Sequence, residues 1–305
     1  VRSFAKVNLI LDVLGTRPDG YHAIESVMQT IGLHDTISLT ISEGGTIRLS
    51  CDVPSIPTDE SNLAHRAASV LFESRGISPG LDIRIEKRIP AEAGLGGGSS
   101  NAAAVLRGLD RLLELRLPCE EMCALGARVG SDVPFFVVGG TAFVSGRGER
   151  VDPLPDIPPM PMVIVKPPFG VSTPWSYRRL DEMRAAGDQS EVTGERETAS
   201  RRIVEYAGFR TLQSAVCSLR SLLSNDLEAP AIEQHPEIEE IKATLIASGA
   251  SAALMCGSGS AVFGLFETDD RARAAADSFV AAPPCRPCLV FVTRTVTREE
   301  AVRIE

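Results

Sequence analysis

Residues 90–100 read Pro-Ala-Glu-Ala-Gly-Leu-Gly-Gly-Gly-Ser-Ser, and Asn101 leads from there into three alanines. Glycines at 94, 96, 97 and 98 let the backbone approach a ligand closely and take up positive φ. Ser99 has the side chain of a helix N-cap, so the spacing predicts a helix beginning after it. Unpaired N–H groups and the positive end of the helix dipole would then face into the loop. A strand, a glycine-rich turn and a helix start, in that order, make an anion site. Ser99 and Ser100 add hydroxyls for phosphate oxygens or a hydrated Mg²⁺. Taken alone, the same stretch also fits a flexible turn ahead of a helix. The common phosphate fingerprints do not fit it. Ser99 stands where the dinucleotide pattern requires its third glycine, and no lysine follows a final glycine as in the Walker pattern.

Upstream of the loop, Leu81, Ile83 and Ile85 alternate as a strand that runs into it through Lys87-Arg88-Ile89-Pro90. Downstream, Val105, Leu109, Leu112 and Leu113 recur at helical spacing, and Pro118 opens a second helix through Val129 at its first position. Ser61 to Ser74 is helical, with Leu63, Ala67, Val70 and Leu71 on one face. Ser3 to Leu14 reads as a strand and Gly15 to Gly20 as a turn. Thr36 to Ser42 and Thr46 to Ser50 alternate across Glu43-Gly44-Gly45, which predicts a hairpin.

Asp152 to Pro161 holds five prolines in ten residues, and the domain boundary is placed there, giving domains at 1–155 and 156–305. Strands at Met162–Lys166, Ala252–Cys256, Ala261–Phe266 and Cys288–Thr293 follow, with helices to about Leu223, at Pro236–Ser248 and at Asp270–Val280. The polar stretch Gly187 to Thr198 reads as a mobile loop. Strands and helices intersperse without a βαβα rhythm, so the class is α+β.

A length of 305 residues fits two domains, and a hydrophobic fraction of 44% supports packed cores. The net charge of −9 argues against a nucleic-acid partner. No run of eighteen apolar residues predicts a membrane span, and no leader pattern opens the chain. Seven scattered cysteines in a chain this large read as reduced thiols and a cytoplasmic location. The Cys285/Cys288 and Cys119/Cys123 pairs offer too few ligands for a zinc site.

The glycine loop resembles the second motif of the GHMP kinase family, whose members phosphorylate small metabolites such as galactose, homoserine and mevalonate. The family's two other motifs have counterparts in Ala5-Lys6-Val7-Asn8 and in Cys256-Gly257-Ser258-Gly259-Ser260-Ala261. The likeness is nearest to a branch acting on a cytidine diphosphate alcohol. It is carried by Gly15-Thr16-Arg17-Pro18-Asp19-Gly20-Tyr21-His22, Gly130-Ser131-Asp132-Val133-Pro134-Phe135-Phe136, Gly170-Val171-Ser172-Thr173-Pro174 and Ser224-Asn225-Asp226. Glu92, where a small residue is usual, and Cys256, in place of Ser or Thr, depart from the pattern.

The resemblance implies a two-domain GHMP kinase fold with the ATP and substrate cleft between the domains. It implies ATP with Mg²⁺ and a monomer or homodimer; no side chain is assigned as a metal ligand, which leaves Mg²⁺ held either by protein side chains or mainly by ATP and water. Asp132 would orient the attacking hydroxyl and take its proton late, while Lys6 would stabilise negative charge. Spacing alone leaves Asp132 a cap or turn residue and Lys6 a solvated strand residue. ATP would contact Asn62, Leu63, Lys87, Pro90, Ala91, Glu92, Ala93, Gly94, Leu95, Gly96, Gly97, Gly98, Ser99 and Ser100. The alcohol would meet Asn8, Tyr21, His22, Thr173, Tyr177, Gly257 and Ser258, with Tyr21 and Tyr177 stacking on cytosine and His22 reading its edge. Trp175 would line the pocket or pack beneath it. A non-catalytic sensor on this fold would lack the Lys6/Asp132 pair. A mevalonate or homoserine kinase would lack Asp19-Gly20-Tyr21-His22.

Overall fold

The computed structural model describes residues 1–186, 222–281 and 287–304. Two long strands, β1 (Arg2–Thr16) and β2 (His22–Ser42), pair antiparallel from Arg2 opposite Thr36 to Thr16 opposite His22. The sequence reading assigns no strand to the first half of β2. That half is buried nearly throughout from Val27 to Ile31, and a strand covered on both faces loses its alternation. Then come β3 (Ile47–Cys51), α1 (Leu63–Arg75), β4 (Gly80–Glu86), α2 (Gly97–Leu112), α3 (Cys119–Val129), α4 (Val133–Val138), β5 (Thr141–Gly146) and β6 (Arg150–Pro153). The chain continues through β7 (Pro161–Lys166), α5 (Thr173–Ala186), β8 (Ser224–Asn225), α6 (Glu228–Gln234) and α7 (Glu237–Ala247). It ends with β9 (Ala252–Met255), β10 (Val262–Leu265), α8 (Asp269–Ala281), β11 (Leu289–Arg294) and α9 (Arg298–Val302).

The first sheet runs β3-β4-β2-β1-β8, with β5 paired to β2 and β6 to β5. The hairpin expected across Glu43-Gly44-Gly45 does not form. β4 lies between β2 and β3, antiparallel to the former and parallel to the latter. Leu81, Ile83 and Ile85 are at most 1% exposed and claim the inner position, whereas β3 only half-buries one side of its alternation and takes the edge. The second sheet runs β11-β7-β10-β9, antiparallel throughout. The chain leaves the first sheet at Pro153 and enters the second at Pro161, across the proline-rich stretch. The predicted loop at 187–198 and helices at 199–221 lie outside the described residues.

Period 2 along β1 decides where the site sits. Ala5, Val7 and Leu9 point into the core shared with Ile164, Phe263 and Leu265 of the second sheet. Lys6 and Asn8 project from the opposite face. Helices α1 to α4 pack with β2, β4 and β5 around a separate core that includes Leu71, Ile83, Leu106 and Phe135. Among the described residues no helix is long and apolar enough to cross a membrane.

Two cap assignments change. Helix α2 begins at Gly97 with Gly96 as N-cap, at φ +70°, so Ser99 lies inside the first turn and caps nothing. Pro118 is the N-cap of α3 rather than its first residue. Cys51, Cys119, Cys123 and Cys256 are free thiols. Cys288 is disulfide-bonded, so the expectation of reduced thiols throughout fails there.

Candidate active site

Lys6 is 4% exposed, buried where β1 passes beneath the glycine loop, and its backbone N–H donates to Leu95 O at 3.1 Å. It is not a solvated strand residue. Its Nζ donates to Asn8 Oδ1 at 2.6 Å, two residues along the same face. Asn8 Nδ2 in turn donates to Ser26 Oγ at 2.8 Å, and Ser26 donates to Ile10 O at 2.6 Å. Burial lowers the Lys6 pKa below its ordinary 10.5, and the charge of Asp132 pulls it back up. Burial pushes the neighbouring Cys256 thiol up to about 12 despite Lys6, so it stays neutral near pH 7. Asp132 is therefore the anion that supports a charged Lys6 there.

Asp132 occupies the N-cap position of α4, yet its side chain makes no capping bond. Asp132 is half-buried, and a methyl group on Gly148 would come within 3.4 Å of its Oδ1. Burial, with the Asp132 charge adding to it, raises the pKa of the Tyr177 phenol well above 10. The Asp132 charge is thus felt by Lys6 on one side and Tyr177 on the other.

The glycine loop is clasped by the C-terminal motif. A methyl group on Gly94 would overlap the Cys256 carbonyl oxygen, and Ala261 N donates to Ala93 O at 3.3 Å. A Cβ at Gly96 would lie 2.6 Å from the Phe136 ring and 3.3 Å from Lys6 Cγ. One at Gly97 would lie 2.9 Å from Lys87 Nζ. From the third motif, a Cβ at Gly257, φ +52°, would come within 3.0 Å of Lys6 Nζ and 3.3 Å of Asn8 Oδ1. Ala93 and Leu95 anchor the loop in the shared core, Pro90 is half-buried, and Ala91, Glu92 and Gly98 are exposed. Glu92 adopts φ +50° with its side chain against Gly170. No side chain caps the first turn of α2, which leaves its leading N–H groups for an anion.

Ser100 does not supply a hydroxyl to the loop. It is 1% exposed, donates to Phe4 O at 2.6 Å and meets Ser3 Oγ at 2.7 Å. Residues on a helix turn through about 100° each, which sends Ser100 to the β1 side while Ser99 stays half-buried near Gly130. Asn62 uses its side chain to cap α1, accepting from Ala64 N at 2.9 Å and donating to Pro57 O at 2.7 Å. Leu63 reaches toward Gly98 and Gly130.

Lys87 brings in a residue the sequence reading missed. Its Nζ pairs with Asp35 Oδ2 at 2.5 Å, and Asp35 is fully buried. The same carboxylate accepts from Arg88 N at 2.7 Å, Ile89 N at 2.8 Å and Asn101 Nδ2 at 2.8 Å. Asp35 thus fixes both the entry of the glycine loop and the helix after it. Nothing in its local sequence marks it.

Helix α5 faces the turn between β1 and β2. The Tyr177 ring stacks on His22 with centroids 4.6 Å apart, and His22 Nε2 lies 2.8 Å from Asp181 Oδ2. Asp181 is one helical turn beyond Tyr177, which is the signal that would have found it. Tyr21 is 53% exposed and sits beneath the Arg147 guanidinium, 5.1 Å from its ring centroid, rather than against Tyr177. Thr173 Oγ1 meets Ser258 Oγ at 2.7 Å, which joins α5 to the third motif. Asn225 Nδ2 holds the carbonyls of Met255 and Gly257 at 3.0 and 2.7 Å. Trp175 packs against the core of the second sheet, together with Leu180 and Phe266. Among the described residues no cluster of three His, Cys, Asp or Glu side chains exists to hold a metal ion.

A strand lysine, a glycine loop at a helix start and the glycine turn between β9 and β10 thus meet at one place, within electrostatic reach of Asp132. The pattern described as "GHMP kinases N terminal domain" matches residues 62–140, and "GHMP kinases C terminal" matches residues 211–284. The chain belongs to the GHMP kinase family. It is 43% identical to the 4-diphosphocytidyl-2-C-methyl-D-erythritol kinase of Heliobacterium modesticaldum, over 97% of this chain and 95% of that one. The protein of the same name from Geobacter metallireducens is 45% identical over 90% of this chain and 91% of its own. A crystal structure of 4-(cytidine 5'-diphospho)-2C-methyl-D-erythritol kinase superposes with a TM-score of 0.76 at 35% identity, covering 97% of this chain and 98% of that one.

Proposed function

We propose that this chain transfers the γ-phosphoryl group of ATP to the 2-hydroxyl of 4-diphosphocytidyl-2-C-methyl-D-erythritol, a step in isoprenoid precursor biosynthesis. The observation that carries the chemistry is the meeting of three segments at Lys6. Its ammonium lies beside Asn8 and Gly257, under the glycine loop, within electrostatic reach of Asp132. The names borne by the relatives support the choice of alcohol.

In this reading residues 1–155 and 156–305 form the two domains, and the loop from Pro90 to Ser100 wraps the triphosphate. The free N–H groups of the first turn of α2 face the phosphates. Asn62, Leu63 and Lys87 line the approach to the adenine, largely through backbone. ATP brings Mg²⁺, which neutralises charge on its phosphates. The half-buried Ser99, in the first turn of α2, would offer its hydroxyl to that cation. The substrate hydroxyl sits between Asp132 and Lys6, positioned by Asn8. Its oxygen bonds to the γ-phosphorus as the bond to the leaving ADP oxygen breaks, and its proton passes to Asp132 late in that process. Lys6 offsets the charge that builds on the transferring group. Tyr21, His22 and Tyr177 hold the cytosine, and Thr173 and Ser258 approach from the third motif.

The test is ADP release across a panel of alcohols. Release should depend on the cytidine diphosphate alcohol. Comparable turnover with mevalonate or homoserine would overturn the assignment of substrate.

A further inference from the structure

We propose that Arg147 is a specificity-determining residue that binds the diphosphate linking the cytidine and alcohol halves of the substrate. The inference deepens the cytidine diphosphate reading and rests on it. The residues proposed for the two ends of this substrate, Lys6, Asn8 and Asp132 at the hydroxyl and Tyr21, His22 and Tyr177 at the cytosine, include no cation assigned to the phosphates between them. Arg147 supplies one. It lies in the turn between β5 and β6, where Gly146 and Gly148, at φ +77° and +119°, hold the tip in a shape side chains resist. One end of that turn marks the reacting centre, since a Cβ on Gly148 would come within 3.4 Å of Asp132 Oδ1. The guanidinium itself marks the base end, 5.1 Å above the Tyr21 ring. Arg147 therefore spans the interval that the diphosphate must cross.

Its bonding leaves capacity for an anion. The Arg147 backbone N–H donates to Glu149 Oε2 at 2.7 Å, and one Nη donates to Ala127 O at 3.3 Å. The guanidinium forms no ion pair with any carboxylate among the described residues. By contrast, Arg17, whose backbone N–H donates to Tyr21 O, is engaged with Asp19 by Nε and Nη2 at 3.0–3.2 Å. A half-buried guanidinium with most of its five donors unused, resting on an aromatic face, suits bidentate contact with phosphate oxygens. Lysine at this position would keep the charge and lose the planar fork.

Calorimetric titration of the full chain with cytidine and with cytidine 5'-diphosphate tests this. Arg147→Met should weaken cytidine 5'-diphosphate about ten- to a hundredfold, as expected for lost charge-assisted bonds, and cytidine by no more than a few-fold. Arg147→Lys should recover part of the loss. Arg147→Gln serves as the second variant, and an unchanged melting temperature and ATP affinity show that the variants are folded. Equal affinity of wild type and variant for cytidine 5'-diphosphate would overturn the inference and leave the kinase assignment standing. An equal loss for both ligands would also overturn it, by making Arg147 a prop for Tyr21. A wild-type protein that bound neither ligand would overturn the cytidine reading and this inference together.

Discussion

The α-carbon of Gly94 lies against the carbonyl oxygen of Cys256, so closely that a methyl group there would overlap it. The second and third motifs, whose Gly94 and Cys256 are 162 positions apart in the chain, are therefore one structure around Lys6. Gly94 is also at φ +72°, where an L side chain is strained.

Gly94→Ala should accordingly destabilise the protein by at least ~1–3 kcal/mol and raise the KM for ATP more than tenfold. Gly98→Ala is the internal control. Its added Cβ would meet only Leu63 Cδ1, at an ordinary 3.6 Å. Thermal melts and ATP kinetics of the pair decide the matter, and similar behaviour of the two variants would remove the special role of Gly94.

Asp132→Asn should lower turnover by about 10²–10⁴, the range expected for loss of a proton acceptor. Fold and ATP affinity should survive, because the Asp132 side chain makes no capping bond that the amide would lose. Turnover within a few-fold of wild type would show that another group takes the proton.

The pH dependence follows from Lys6. Burial lowers its pKa below 10.5, so the ammonium is lost at lower pH than in a solvated lysine. Turnover should fall on an alkaline limb that begins below 10.5. The stability effect has the opposite sign. Below the lowered pKa the buried charge costs stability in full. Between that pKa and 10.5 the unfolded chain keeps a proton the native state has released, so stability rises with pH. Lys6→Met should abolish that rise, which denaturant titrations at several alkaline pH values would reveal. An unaltered slope in the variant would assign it to another group.

What the sequence disclosed and what it hid divide along physical lines. Backbone chemistry marks the glycine loop locally, whereas Lys6, Asn8 and the Gly-Ser-Asp-Val-Pro turn were singled out by resemblance to the family's motifs, since spacing alone left Asp132 a cap or turn residue and Lys6 a solvated strand residue. Period 2 marked β4, which buries one face, and β1, where the polar Asn8 and Asp12 interrupt the apolar residues although both faces are covered. The first half of β2 left no trace, because burial on both faces erases alternation. The false hairpin at Glu43-Gly44-Gly45 shows that turn chemistry fixes a bend but not a strand's neighbour. Asp35 and Arg147 could not be found from their surroundings in sequence. Their partners are Lys87, 52 residues away, and the ring of Tyr21 on the opposite side of β2. The expectation of a free Ser100 failed for a different reason. Helical geometry, rather than residue type, turns its hydroxyl to Phe4 O.

Asp35→Ala should be among the most damaging single changes outside the proposed chemistry. It strands the Lys87 ammonium, whose side chain is 9% exposed, and removes acceptors from Arg88 N, Ile89 N and Asn101 Nδ2. Breaking one side of a buried pair costs ~3–5 kcal/mol. Pairing the change with Lys87→Met should recover part of that loss, because no buried charge is then left alone. Urea unfolding of the single and double variants provides the comparison, and a double variant as unstable as the sum of both singles would refute the coupling.

Tyr177 stacks on His22, and Asp181 fixes the far side of the imidazole, so these three form a single rigid wall. Tyr21 is instead exposed and touched by Arg147. Loss of Tyr21 should remove one stacking surface, raising the KM for the cytidine substrate by about ten- to a hundredfold, the equivalent of ~1–3 kcal/mol. Tyr177→Ala should cost more, because it removes a ring and also the support that orients His22 toward the base edge. Its effect should therefore include lost discrimination between cytidine and uridine analogues, which Tyr21→Ala retains. The KM for ATP should stay near wild type in both variants, since the proposed ATP contacts lie along the glycine loop, on other elements of the fold. Steady-state kinetics with both ligands, and with the uridine analogue, distinguish these outcomes. A rise in the KM for ATP with an unchanged KM for the alcohol would move this wall to the nucleotide donor, and equal discrimination in the two variants would detach His22 from Tyr177.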